Sequence, residues 1–105
     1  MDHTEVLRLL AINGEGASAI GLGGTDDLDD KSQALIRLAA LIAIGGGAGP
    51  SYGEATDAAV SSGASPAEVV GVLVGVLPVV GMARVVDAAP KVGMALGYDT
   101  EAALE

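Results

Sequence analysis

Ser62-Gly63-Ala64-Ser65-Pro66-Ala67-Glu68-Val69-Val70 carries the strongest local signal in the chain. Gly63 stands where a helix ends, because glycine adopts the left-handed conformation that closes a last turn. Ser65 then caps a new helix, with Pro66 at its first position and Glu68 placed to complete a capping box. A stop followed at once by a start makes a helical hairpin, and the all-α reading spreads outward from it. Downstream, Val69, Val70, Val72, Leu73, Val76 and Leu77 continue the helix. Valine runs also suit a buried strand. The caps, with Gly71 and Gly75 inside the run, decide for helix. Pro78 removes a hydrogen bond and, with Gly81, is expected to kink or end it. Another helix is expected over about Met82 to Leu96, interrupted and bent by Pro90.

Upstream, a helix is predicted from about Ser51 to Ser62. Before it, Asp26, Asp27, Asp29 and Asp30 crowd the start of a helix that begins around Leu28 to Asp30, where carboxylates satisfy free N–H groups. Leu35, Ile36, Leu38, Ala39, Leu41 and Ile42 fill more than half its circumference and predict deep burial. The run Gly45 to Pro50 stops it. Asp2 caps a first helix, with Glu5 as capping-box partner, ending near Asn13-Gly14. Residues 14–25 have no helical period and read as a loop, and Asp99-Thr100 cap a last turn through Leu104. The organisation is one domain: an N-terminal helix (1–13), a connector (14–27), a helical core (28–96) and a C-terminal turn (97–105).

Composition excludes whole classes of function. The chain has 105 residues, no Cys, one His and a net charge of −9. There are no disulfides and no thiol chemistry, and His3 alone cannot build a histidine zinc cage. Strong acidity, with Tyr52 and Tyr98 the only aromatics, argues against nucleic-acid binding. No metal site or cofactor is expected. Half the residues are hydrophobic, and a domain of this size buries only about 60–70% of its unfolded surface. The apolar excess points to a homo-oligomer. The longest uncharged apolar run, Val69 to Ala83, is broken by Pro78 and falls short of the ~20 residues that span a bilayer. Gly71 and Gly75, four apart, allow two helix backbones to approach closely. Asp2 and Glu5 stand where a signal peptide carries positive charge, so a cytoplasmic, non-membrane protein is expected.

Few motifs carry chemistry. From Asp26, the sixth and twelfth positions are Lys31 and Arg37, not the Gly and Glu of a calcium loop. Gly14-Glu15-Gly16-Ala17-Ser18-Ala19 spells G-x-G-x-x-A but follows a helix, not a strand. In the helix from Ser51, the 100° step puts Tyr52, Ala55, Thr56 and Ala59 on one face and Glu54, Asp57 and Ser61 on the other. Tyr52 is expected to face a pocket, and Glu54 and Asp57 to face solvent. Arg84 and Asp87, three apart, are expected to pair on a helix surface. Arg84 is also the candidate to grip a carboxylate.

The order of these segments resembles the carboxymuconolactone decarboxylase family, which includes alkylhydroperoxidase D-type proteins. The resemblance runs from about Leu28 to Leu96 and is carried by Leu28-Asp29-Asp30-Lys31-Ser32, the helix ALIRLAALIAIGG, the turn Gly63 to Glu68 and Val80-Gly81-Met82. It implies an all-α subunit that assembles as trimers or hexamers. It also implies a C-x-x-C pair and a His eight residues before the turn glycine. Counted back from Gly63, the His falls at Ala55, the second Cys at Ser51 and the first near Ala48. The acidic relay residue falls near Ala34 to Ile36. None of these groups is present, so dithiol peroxidase chemistry is impossible, and the decarboxylase branch loses its His at Ala55.

Three functions follow. The first is a non-redox oligomer that binds a small hydrophobic or carboxylate ligand, or acts as a scaffold, with Ser51, Tyr52, Ala55 and Arg84 at the site. The second is a divergent lyase or isomerase on a lactone or enol-acid, with Tyr52 or Glu54 as acid/base and Arg84 gripping a substrate carboxylate. The third is a non-catalytic partner of a peroxidase-type homologue.

Overall fold

The computed structural model describes residues 2–12, 27–46 and 51–98. Among them the chain forms five helices and no strand: α1 (His3–Ile12), α2 (Asp30–Ile44), α3 (Tyr52–Ser61), α4 (Pro66–Val80) and α5 (Met82–Ala95). The expected all-α fold is observed. No helix of the described residues is long and apolar enough to cross a membrane. The loop expected over 14–25, the turn expected beyond Asp99, and Asp26 lie outside the described residues.

Local chemistry sets the helix starts. Asp29 caps α2, its carboxylate accepting from the Ser32 N–H at 2.7 Å. Ser51 caps α3, its Oγ accepting from the Glu54 N–H at 3.1 Å. The box at α4 is complete: the Glu68 N–H donates to Ser65 Oγ at 3.1 Å, and the Ser65 N–H donates to Glu68 Oε1 at 3.0 Å. The ends are equally local. Gly63, at φ 103°, closes α3 with paired bonds from the Gly63 N–H to the Val60 carbonyl and from the Ala64 N–H to the Ala59 carbonyl. That pattern requires a left-handed residue, which glycine supplies without a Cβ penalty.

Pro78 does not end its helix. It sits inside α4, which runs on to Val80 and stops at Gly81. Pro90 likewise lies within a continuous α5. Each proline removes the bond to the carbonyl four residues back. Val74 and Val86 at those positions are 65% and 60% exposed, so water can take the acceptor and the break costs less than it does in a core.

Helices α2 to α5 pack against one another around a core of Leu38, Ile42, Val69, Val92 and Thr56, all fully buried. The core is aliphatic and small-sided, with Ala55, Ala59 and Ala88 letting the helices approach closely. α2 is less enclosed than its composition predicts. Leu38, Leu41 and Ile42 are buried, but Ile36 is 53% exposed and Ile44 64%, because the packed neighbours cover one side only. α1 packs against none of the other helices and buries none of its residues.

Candidate functional site

The site assembles where α2 ends and α3 begins, against the second half of α5. α2 closes at Gly45, whose N–H donates to the Ile42 carbonyl while the Gly46 N–H donates to that of Leu41. Gly45 has φ 77°, and a Cβ there would collide with the Arg84 guanidinium. Glycine is thus required twice over, by the backbone and by the cation lying on it. Arg84 also stands at the carbonyl end of α2, where the helix dipole favours positive charge.

Tyr52 is the first residue of α3 and is 6% exposed. Its ring faces inward, and its hydroxyl donates to Asp87 Oδ2 at 3.4 Å. Lys91 Nζ lies 3.8 Å from Asp87 Oδ1 and 5.4 Å from the centre of the Tyr52 ring, within the range of a cation–π contact. Burial raises the pKa of the Tyr52 hydroxyl above 10.0, and the Asp87 charge and hydrogen bond add to the rise, while Arg84 opposes it. Thr56, fully buried, satisfies its hydroxyl on the Tyr52 carbonyl at 2.7 Å, which ties the tyrosine to the next turn.

A cleft of about 710 Å³ opens beside this cluster. Ser51, Tyr52 and Gly53 bound it at the α3 N-terminus, with Gly45 and Gly46 from α2, Lys91, Met94 and Ala95 from α5, and Asp57 on the rim. A second cleft, of about 260 Å³, lies between α2 and α3. Ala34, Ala55, Arg37 and Glu54 are among its lining residues.

The residues picked from sequence therefore divide. Ser51 and Tyr52 meet in the larger cleft, whereas Arg84 lies against Gly45 and does not line it. Ala55 and Glu54 belong to the smaller one, and Glu54 is exposed. The helical-face prediction is observed: Tyr52, Ala55, Thr56 and Ala59 are buried, while Glu54, Asp57 and Ser61 are exposed. The expected Arg84–Asp87 pair is corrected. Asp87 pairs with Lys91, one turn on, because Arg84 is drawn to the end of α2. Lys91 and the Asp87–Tyr52 bond were missed. The i,i+4 spacing of Asp87 and Lys91 was a usable signal, whereas nothing local links positions 52 and 87.

Comparison of the chain with family models, with curated proteins and with solved structures gives no match.

Proposed function

We propose that this chain is a non-redox, oligomeric small-molecule-binding protein on the helical plan of the carboxymuconolactone decarboxylase family, and that its ligand is a small monocarboxylate with an apolar body. One observation carries the reading. Of five basic residues in a chain of net charge −9, Lys91 lines the cleft and lies over the ring of the buried Tyr52, and the Arg84 guanidinium lies against Gly45 on the neighbouring end of α2. Lys91 offers a cation to a carboxylate, and Met94, Ala95 and the glycine backbone offer an apolar wall. The cleft volume falls within the ~300–1,000 Å³ common for small-molecule sites. Asp57 on the rim opposes a second negative charge, which favours monocarboxylates over dicarboxylates. The family plan has its own support. Ala55, where the resemblance puts the histidine, is buried and lines the same small cleft as Ala34, the first of the positions 34–36 near which it puts the relay acid. The lyase or isomerase reading has less support, since Glu54 is exposed and Arg84, its carboxylate grip, does not line the Tyr52 cleft.

The test is calorimetric titration of the full chain with aromatic and medium-chain monocarboxylates, their amides and matched dicarboxylates. Saturable binding of the monocarboxylates is expected, with Lys91→Gln weakening it at least about tenfold through loss of a charge-assisted hydrogen bond. Equal affinity for acid and amide, or an unaffected Lys91→Gln variant, overturns the reading.

A further inference from the structure

We infer that the outer face of α4 is a self-complementary contact through which two copies of this chain pair about a two-fold axis. Val69 and Leu73 turn inward and are buried. On the opposite side, Val70 and Val74 are 44% and 65% exposed. Gly71, Gly75 and Pro78 lie beside them, also exposed. A Cβ built on Gly71 or Gly75 meets nothing within 4 Å. The helix therefore presents a valine ridge beside a groove of bare backbone. An antiparallel copy sets Val74 against Gly71 and Val70 against Gly75, and the two-fold repeats both contacts.

Charge favours a second copy as the occupant. Fourteen acids against five bases make most encounters between copies repulsive, yet no charged residue lies between Glu68 and Arg84. Glu68, at the near end of the face, is held by Lys31 at 3.1 Å. Two copies can meet here without opposed carboxylates, and a basic partner finds no acid to bind. The inference specifies the self-contact of the oligomer proposed above. None of the residues lining the Tyr52 cleft belongs to α4, so ligand binding can fail while the contact stands, and the reverse.

Sedimentation equilibrium of the full chain over a wide concentration range tests it. The expected assembly holds an even number of 10.2 kDa subunits. Val74→Asp is expected to halve its mass with helix content kept by circular dichroism, while Ile36→Asp, at an exposed apolar position on α2, leaves the mass unchanged. Monomer throughout, an odd-numbered assembly, or an unchanged mass in Val74→Asp overturns the inference. Should Val74→Asp fail to fold, the milder Val74→Cys gives a single thiol in a cysteine-free chain. A short bismaleimide is expected to crosslink it into dimers and to leave Ile36→Cys uncrosslinked. No crosslink, or equal crosslinking of both, overturns the contact. Carboxylate titration of Val74→Asp reads the Tyr52 cleft separately.

Discussion

Tyr52 joins the core to the cleft, and its titration reports on both. Its neutral form is favoured by burial first and by Asp87 second. The folded pKa therefore lies above the unfolded value near 10, so the stabilisation is complete below pH 10 and is lost as pH rises through the folded pKa. In a Tyr98→Phe background Tyr52 is the sole tyrosine, and tyrosinate absorbance should appear above pH 10, together with the onset of alkaline unfolding. Titration at or below 10 in the folded chain would mean that the ring is not held as described. The inward side of Tyr52 was legible because it follows from helical period alone. The Asp87 partner was not legible, since it depends on how α3 and α5 cross, and no sequence interval encodes that.

Elements differ in how much of their stability is local. The start of α4 is written almost wholly in Ser65, Pro66 and Glu68, and every hydrogen bond expected of the capping box is present. Ser65→Ala should cost about 1 kcal/mol in chemical denaturation. The Glu68 carboxyl is held below its ordinary 4.5, first by the Ser65 N–H and then by Lys31. Its contribution is present above pH 4.5 and is lost as pH falls through the folded value, so Glu68→Gln should flatten that part of the acid limb. An acid limb identical to that of the parent chain would remove Glu68 from the account. The course of α4 past Pro78 was illegible for the complementary reason. The cost of a proline depends on whether water reaches the abandoned carbonyl, and exposure is a tertiary property. α1 is the opposite case, a helix with a cap and an apolar stripe but no packed helix among the described residues. Its Leu7 and Leu10 are 66% and 54% exposed, and an isolated helix of ten residues is marginal in water. Deleting residues 1–12 should leave the melting temperature of the α2–α5 core within a few degrees. A large drop would assign α1 a contact with that core.

At the scale of the whole molecule, two quantities oppose each other. The apolar surface left on α2, α4 and α5 favours association, whereas a net charge of −9 on 105 residues disfavours both compaction and assembly. The ion pairs within the described residues are too exposed to settle the contest. Lys31–Glu68 and Lys91–Asp87 have side chains between 37% and 60% exposed, and such pairs contribute about 0–1 kcal/mol each. Salt separates the terms. Added ions screen repulsion among fourteen acids and screen the exposed pairs as well, with a Debye length that falls from about 30 Å at 0.01 M to about 8 Å at 0.15 M. Because acids outnumber bases nearly three to one, relief of repulsion should dominate. Thermal unfolding in sodium chloride should therefore shift upward with ionic strength and level off once screening is complete. The association constant of the α4 contact should rise in parallel, as its surface carries no charge to be screened. A melting temperature that falls with salt would reverse the ranking and make the Lys31 and Lys91 pairs the dominant electrostatic term in the fold.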